Sequence, residues 1–402
     1  MRWSGSTGTR VLVAALAVLA ALVMMGSLVG CTATAAATPP GPPVATAPPA
    51  VPTVKVRPAD GTTDVAPANP ITISSTGGSL SGVTLTADDG TLIPGTVSPD
   101  GLTWTATAPP AYDTTYRLAG TAQGPGGTAP VTGRFTTADP ARLVRASTNI
   151  DDDSVVGVAA PIEIRFDRTI PTANRAAAER ALGITTSTPV TGSWAWLPDT
   201  TSGSRVHYRP QSYWPAGTKV TVAAHIYGVN LGRAGYGARD LTTSFTIGRS
   251  QIVKADAGTH RIQVVRDGTT VLDLPASYGL ATDPRRVTHS GVHVVMAKAE
   301  TVLMTNIDYG YQNLPEHWAV RISNNGEFIH ANPATNSVQG RYNVTHGCIN
   351  LSTVNAKAFY DTAMFGDPVE VTGTSIPLSA TDGDIYDWAV SWADWQQMSA
   401  LS

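Results

Sequence analysis

The sequence predicts a mainly β protein built from several domains, and three observations support this. Val, Thr, Ile and Tyr are common whereas Lys and Glu are sparse, a composition that favours strands over helical bundles. Short β-branched runs recur at 71–73, 83–86 and 103–105, and turn signals such as Asp89-Gly90 separate them. A chain of 402 residues has room for two or three domains.

The charge balance and the cysteine count exclude two further classes of protein. The chain has 27 Lys and Arg against 30 Asp and Glu, a formal net charge of -3. Because it lacks a basic excess, we expect no binding to nucleic acid. Cys31 and Cys348 are too few for a disulfide-stapled scaffold or a multi-cysteine zinc site.

Residues 1–31 predict an export signal. Arg2 and Arg10 precede an apolar segment, 11–25, that is shorter than the roughly 20 residues needed to span a bilayer. It ends in a Leu-Val-Gly-Cys run at 28–31 that resembles a bacterial lipobox, in which the Cys is lipid-modified. We therefore expect export and anchoring through lipidated Cys31 to the outer face of the cell membrane, facing the cell wall. The alternative is an ordinary secretory signal with an accidental Cys.

Residues 32–52 are rich in Ala, Thr and Pro, which predicts an extended tether. If Cys31 carries lipid, Cys348 is the one thiol left and cannot form a disulfide within the chain. A lone thiol in an oxidising compartment is a liability unless it is buried or used.

The region after the tether carries a pattern that occurs twice. In 64–73 and again in 154–164, a Pro leads into an alternating strand. This repeat predicts tandem immunoglobulin-like sandwiches over 53–140 and 141–250. The second repeat has an Ala-rich insert at 172–182, which predicts one short helix.

Neither repeat contains a catalytic constellation. His207 and His225 are far apart in sequence, and we interpret each as an ordinary strand residue. The repeats are therefore expected to act as a spacer, or as a surface that binds wall polymer or partners.

The residues that carry chemistry lie in a third predicted domain, 251–373. Cys348 is the candidate nucleophile, and a thiol needs a neighbouring base or cation to become a thiolate. His346 is two residues away and His330 is further upstream; in an extended segment, residues two apart share a face. Gly347 lets the backbone approach a substrate closely, so that nearby N–H groups can face a developing oxyanion.

The residues that follow support this interpretation. Asn350 can orient the loop or a substrate carbonyl, and Ser352 or Thr353 can N-cap a helix that runs to Met364. The Cys would then lie just before a helix N-terminus, where the dipole favours a thiolate. The alternative is a buried, inert Cys beside histidines whose hydrogen bonds are satisfied.

The spacing of these residues resembles a known signature. His330, then fourteen residues, then a Thr-His-Gly-Cys-Ile-Asn run at 345–350 is similar to the L,D-transpeptidases, which have a YkuD-type catalytic domain. The order of lipobox, two immunoglobulin-like modules, catalytic domain and Trp-rich tail resembles the multidomain mycobacterial and related actinobacterial members. The resemblance implies a β-rich catalytic domain with a short helix and a Trp-rich helical tail.

The resemblance also implies roles for the residues of the motif. Cys348 would be the nucleophile, and His330 its general base, which later returns the proton to the leaving amine. The backbone carbonyl of Ala331, where many relatives have Ser, would hold the imidazole. His346, Gly347 and Cys348 would form the oxyanion wall.

The implied substrate-binding residues also include Met304, a lid tyrosine (Tyr311 or Tyr309), Asn325, Gly326 and Asn350. The Asn325-Gly326 pair falls where relatives bind the donor stem with a Ser-Gly pair. The lid is shorter than in those relatives, so which tyrosine matches stays open.

A second departure is the Thr-His-Ser-Gly run at 288–291, where relatives usually have Thr-Pro-x-Gly. His289 and His293, with His330 or His346, form an alternative zinc site. No Glu or Asp follows at a ligand spacing, so we expect no metal and no cofactor.

The implied reaction is acyl transfer between peptidoglycan tetrapeptide stems. The thiolate attacks the carbonyl between the third and fourth residues of a donor stem and expels D-Ala, and an amine of an acceptor stem resolves the thioester into a 3→3 cross-link. Resolution by water would instead make the protein an L,D-carboxypeptidase. A second hypothesis is a lipid-anchored wall-binding protein whose last domain does not turn over. The resemblance further implies acylation by carbapenems, and we expect a monomer.

Residues 374–402 form the predicted tail. Trp388, Trp392 and Trp395 have the spacing of one helical face. We expect this face to pack against the catalytic domain and the preceding module; a carbohydrate platform is the alternative.

Overall fold

The computed structural model describes residues 48–383 and 385–402. Residues 49–402 form one compact unit. The predicted export signal, the lipobox and the tether as far as residue 47 lie outside the described residues. Among the described residues, no helix has the length and apolar content needed to span a membrane.

The first module is a two-sheet β-sandwich. Its strands are β1 (Thr53–Arg57), β2 (Thr62–Val65), β3 (Thr72–Thr76), β4 (Ser79–Ala87), β5 (Leu92–Ile93), β6 (Gly95–Val97), β7 (Thr103–Ala106), β8 (Thr115–Gly124) and β9 (Gly127–Thr137). The sheets have the orders β1-β3-β7-β6 and β2-β9-β8-β4-β5. Trp104, Tyr116 and Phe135 fill the space between them, and the last two rings stack at 5.5 Å.

The second module repeats this plan with one insert. Its strands are β10 (Leu143–Val144), β11 (Ala146–Thr148), β12 (Val155–Val156), β13 (Ile162–Phe166), β14 (Leu182–Thr186), β15 (Gly192–Trp196), β16 (Arg205–Pro210), β17 (Lys219–Ala224), β18 (Tyr236–Gly237) and β19 (Leu241–Ile247). The main sheets are β11-β13-β16-β15 and β12-β19-β17-β14. The insert forms helix α1 (Thr172–Arg180), as the Ala-rich run predicts.

The predicted repeat is visible in the topology. β2 pairs in parallel with β9, the last strand of the first module, and β12 pairs in parallel with β19, the last strand of the second. In both modules the following Pro leads into a strand of the opposite sheet. This equivalence confirms the two tandem sandwiches; their boundaries, at 140 and 250, stay predictions.

In its described residues, the third domain holds two sheets and one α-helix. Its strands are β20 (Gln251–Asp256), β21 (Arg261–Arg266), β22 (Thr269–Pro275), β23 (Gly291–Val294), β24 (Ala297–Asn306), β25 (Tyr311–Arg321), β26 (Phe328–Ala331), β27 (Ile349–Leu351) and β28 (Pro368–Thr372). The sheet orders are β22-β21-β20-β28-β23 and β24-β25-β26-β27. Helix α2 (Thr353–Thr362) packs on the second sheet through buried Phe359. The Ser352 side chain caps it by accepting a hydrogen bond from the Asn355 N–H, as predicted.

The tail differs from its prediction. Helix α3 spans only Trp392–Gln397, and Trp388 lies in a separate 3₁₀ turn. The single helix is wrong because Val390 is extended and Ser391 starts a new helix, with its side chain accepting from the Asp394 N–H.

The three tryptophans nevertheless share one partner. The Arg209 guanidinium lies 4.8 Å from the ring centres of Trp388 and Trp395 and 5.3 Å from that of Trp392. The Trp388 indole N–H also donates to the Ala159 carbonyl at 2.9 Å. Packing of the tail against the second module is therefore confirmed.

A buried charged cluster lies at the same interface. His207 is 1% exposed, and its Nδ1 lies 2.9 Å from Asp387 of the tail while its Nε2 lies 2.9 Å from Glu163. Burial disfavours the imidazolium, but the two carboxylates outweigh it and raise the pKa of His207 to about 9. His207 thus forms a buried ionic bridge between the second module and the tail, and it is not the ordinary strand residue that we predicted.

Candidate active site

Two neighbouring strands bring His330 and Cys348 together. β26 and β27 are parallel, and their register places His330 opposite Asn350. Cys348 lies in the turn immediately before β27, so its thiol sits beside the imidazole. The thiol is half-buried, and its Sγ lies 3.6 Å from the Gly326 carbonyl oxygen.

The turn that carries Cys348 is not the extended segment that we predicted. Gly347 has φ +111° and the strand begins only at Ile349. Thr345 Oγ1 donates to the Cys348 carbonyl at 2.6 Å, and Thr288 Oγ1 donates to the Gly347 carbonyl at 2.8 Å. These bonds fold residues 345–348 tightly, which is why simple alternation of side chains fails here.

The Nδ1 side of the His330 ring is held by neighbouring groups, and its Nε2 side is available to the thiol. Its Nδ1–H donates to the Ala331 carbonyl at 2.9 Å, the contact that the family resemblance implied. Glu316 Oε2 lies 3.1 Å from the same nitrogen. Burial by itself lowers the pKa of His330, but the hydrogen bond with Cys348 and the Glu316 carboxylate outweigh it and raise that pKa to about 10. Nε2 is left for the thiol, an arrangement that favours a thiolate–imidazolium pair.

Two cavities meet at Cys348. The larger, of about 530 Å³, lies on the side of Asn325 and Gly326 and includes Met304 in its wall. The smaller, of about 200 Å³, lies on the side of Glu316. Since Cys348 lines both, groups bound on either side can reach the same sulfur.

The lid, formed by β24, β25 and the turn between them, places both candidate tyrosines against His346. The Tyr309 and Tyr311 rings lie 4.4 Å and 5.9 Å from the imidazole, centre to centre. Tyr311 lines both cavities, whereas neither cavity has Tyr309 in its wall. The structure thus places Tyr311 next to the thiol. Burial and the Arg286 guanidinium lower the pKa of His346, so the ring is neutral at neutral pH.

Asn350 lines one of the two cavities, whereas Ala331 lines neither. Asn350 is buried in β27, and its side chain lines the smaller cavity. Among the described residues, its Oδ1 has no hydrogen-bond partner. Ala331 is buried as well, but neither cavity includes it, so its part in the site is the carbonyl contact with His330.

The two departures from the family pattern lie side by side in the larger cavity. Asn325 Nδ2 lies 3.1 Å from His289 Nδ1 and donates to Asp382 Oδ1 at 3.0 Å. His289 Nδ1 lies 2.6 Å from the same Asp382 oxygen. Asp382 belongs to the tail, so the tail shapes the wall of this cavity.

The geometry does not support the alternative zinc site. His293 is buried between backbone carbonyls, with its Nε2 2.8 Å from His289 O and its Nδ1 3.3 Å from Ile322 O. Over residues 48–383 and 385–402, no group of three or more His, Cys, Asp and Glu side chains is arranged to hold a metal ion.

Sequence reasoning missed Glu316 and Asp382. Glu316 lies in β25 near a bulge, where the register with β26 shifts between His317 and Val320. Nothing in the local sequence marks a bulge or which way it turns a side chain. Asp382 is remote in sequence from His289, and one carboxyl in a polar loop carries no signal of its partner.

Family models match the two parts of the chain. A bacterial Ig domain model matches residues 62–230, and the L,D-transpeptidase catalytic domain model (YkuD) matches residues 250–371. Among solved structures, an LD transpeptidase in complex with imipenem is 34% identical, with a TM-score of 0.48 over 58% of this chain and 100% of that one. An L,D-transpeptidase from Mycobacterium smegmatis is 30% identical, with a TM-score of 0.46 over 57% and 99%.

Curated relatives match over a longer span. L,D-transpeptidase 5 of Mycobacterium tuberculosis is 51% identical over 333 residues, which cover 83% of this chain and 73% of that protein. L,D-transpeptidase 2 of the same species is 38% identical over 339 residues, covering 82% and 81%. The chain therefore belongs to the L,D-transpeptidase family of enzymes, with bacterial Ig-like modules preceding a YkuD-type catalytic domain.

Proposed function

We propose that this enzyme forms 3→3 cross-links between peptidoglycan tetrapeptide stems. The observation that carries the proposal is the position of the Cys348–His330 pair where two cavities meet. A transferase must present one acyl group first to its nucleophile and then to an acceptor, and a second cavity provides that access. We assign the larger cavity to the donor stem, because it is lined by Asn325 and Gly326, the pair that falls where relatives bind that stem.

In the first half-reaction, Cys348 Sγ attacks the carbonyl carbon between the third and fourth donor residues. A C–S bond forms, the C–N bond to D-Ala breaks, and His330 transfers the thiol proton to the leaving amine. In the second, an acceptor side-chain amine attacks the thioester from the smaller cavity and gives its proton, through His330, to the departing thiolate. General acid–base help of this kind contributes about 10²–10⁴-fold.

The turn at Gly347 supplies the oxyanion wall in this proposal. The backbone N–H groups of His346, Gly347 and Cys348, in the turn that carries the thiol, would donate to the developing oxyanion, and losing one such donor typically costs about 10²–10³-fold in rate. Gly347 has φ +111°, yet an added Cβ would meet nothing nearer than 3.9 Å. The constraint on this residue is therefore backbone conformation and not space.

A Gly347→Ala variant is expected to lose about 10²-fold in acylation rate, because the new side chain disfavours the positive φ and rotates the adjacent N–H groups. Gly268→Ala is a matched control: Gly268 has φ +80° in the β21–β22 turn, with no atom within 4 Å of an added Cβ. Both variants should lose similar thermal stability, and only Gly347→Ala should lose activity. Equal activity in the two would contradict the assignment of the oxyanion wall.

The position of the enzyme in the cell is part of the proposal. The substrate lies outside the cell membrane, which agrees with an export signal and with anchoring through lipidated Cys31. Globomycin-sensitive processing and a mass shift on the peptide that contains Cys31 would test the anchor.

Mass spectrometry of a disaccharide-tetrapeptide incubated with the purified protein tests the reaction. A cross-linked dimer lacking one Ala supports the proposal. Tripeptide alone would make the enzyme an L,D-carboxypeptidase. Unchanged substrate, with an active control enzyme alongside, would favour a wall-binding protein.

A further inference from the structure

Glu316 is a buried carboxylate next to the catalytic pair, and the reaction described above gives it no role. It is 9% exposed, and its Oε2 lies 3.1 Å from His330 Nδ1. Within the described part of the chain, His330 is its one ion-pair partner. Because a buried carboxylate is costly without a charged partner, the contact indicates that His330 carries a proton on both nitrogens.

The backbone of β25 bends to make this contact. Between His317 and Val320 the strand has one residue more than its partner β26, a β-bulge, and within it Trp318 has φ +53°. A positive φ is unfavourable for so bulky a residue, and bulges beside active sites re-aim side chains. The Trp318 ring is held by Tyr360, at 5.4 Å between ring centres, and by Lys357, whose Nζ lies 4.9 Å from the ring centre. A strained and buttressed backbone therefore presents Glu316 to the site.

We propose that Glu316 is a positioning residue that, together with the Ala331 carbonyl, holds His330 by its Nδ1–H and stabilises the thiolate–imidazolium form of the Cys348–His330 pair. Its negative charge lies nearer the imidazole than the sulfur, so it favours the imidazolium more than it disfavours the thiolate. The inference rests on the nucleophile and base roles proposed above and extends them to a Cys–His–Glu arrangement.

Other titratable or charged groups facing the pair are Tyr311 on β25, His346 in the turn and, in the wall of the larger cavity, Arg285, His289 and Glu327. Burial and then the neighbouring Cys348 and Glu316 raise the pKa of Tyr311, so it stays neutral beyond its ordinary range. The pKa of His346 is lowered, so it titrates on the acid side. The alkaline limb of a pH profile thus reports the Cys348–His330 pair.

The test measures thiolate reactivity without any peptidoglycan. Wild type, Glu316→Gln and Glu316→Asp are alkylated with iodoacetamide between pH 5 and 10, and the modified tryptic peptide 342–357, which carries Cys348, is quantified. We expect Glu316→Gln to lower the rate at pH 7 by about tenfold or more, since the negative charge that faces the imidazolium is removed. The rate should recover at high pH, where the thiol ionises unaided, and Glu316→Asp should restore part of the loss.

The matched control is Glu300→Gln, which removes a carboxylate from the exposed face of β24 in the same lid. Its alkylation profile should superimpose on that of wild type, and thermal unfolding should show that all variants fold. D-Ala release from the donor stem should also show its alkaline limb at lower pH in Glu316→Gln, by about one unit.

Two outcomes would overturn the inference. One is an alkylation profile of Glu316→Gln that matches wild type. The other is a change confined to the KM for the acceptor, which would mean that Glu316 captures the acceptor ammonium in the smaller cavity. If alkylation shifts as expected but no cross-link forms, the proposed function fails and the role of Glu316 stands.

Discussion

A Cys348→Ala variant is expected to lose all acyl transfer, by more than about 10⁴-fold, while keeping its fold. The reason is that the remaining groups, the His330 base and the backbone N–H groups of the turn, have no atom left to acylate. Cys348 is half-buried, so the loss of one sulfur should change the free energy of unfolding by no more than about 1 kcal/mol. Activity and stability should therefore separate completely.

Imipenem gives a second readout for this variant. The resemblance to the L,D-transpeptidases implies acylation by carbapenems, the class to which imipenem belongs, and we propose that Cys348 is the group acylated. Intact-protein mass spectrometry should show a one-to-one adduct on wild type and none on Cys348→Ala. Val354→Ala, on the exposed surface of helix α2, is the control and should be acylated normally. Residual D-Ala release by Cys348→Ala would show that another group carries the reaction.

Local patterns in the sequence account for much of the fold. The β-branched runs at 83–86 and 103–105 lie within β4 and β7, and α2 begins at the capping Ser352 because a cap is decided within four residues. The prediction of a single tail helix was wrong because a local cap also decides where that helix begins. Trp388, Trp392 and Trp395 have helical spacing, but Ser391 caps a new helix between them, and their common partner Arg209 satisfies the spacing without a continuous helix.

In the candidate site, too, the residues of the local motif could be predicted and those placed by tertiary contacts could not. His330 and Cys348 could be predicted because they belong to one motif with a characteristic spacing, and the adjacent strands β26 and β27 then bring them together. Glu316 could not, because a β-bulge decides where it points, and Asp382 could not, because it meets His289 only after the tail has packed. The sequence does not show how distant segments align with one another. Glu316 and Asp382 were missed because that alignment decides their positions.

The second large effect is expected far from the active site, at His207. His207→Gln would leave Asp387, which is fully buried, and Glu163 without their shared cation. Removing one partner of a buried ionic cluster typically costs about 3–5 kcal/mol. For a domain of this size that corresponds to a fall in Tm of roughly 10 °C. His225→Gln is the matched control, since His225 pairs with Asp240 at 3.3 Å on the exposed surface of the same module, and its Tm should stay near that of wild type.

The pH dependence of this effect has a defined sign. The folded-state pKa of His207 is raised to about 9, so its stabilisation is complete below the unfolded value near 6.5 and is lost as the pH rises through 9. Burial opposes ionisation of Glu163, but His207 and Arg165 lower its pKa to about 2, so its contribution is lost only as the pH falls through that value. The Tm difference between wild type and His207→Gln should therefore be large at pH 6 and shrink by pH 9.5. An equal difference at both pH values would mean that packing, and not the charge on His207, holds the tail against the second module.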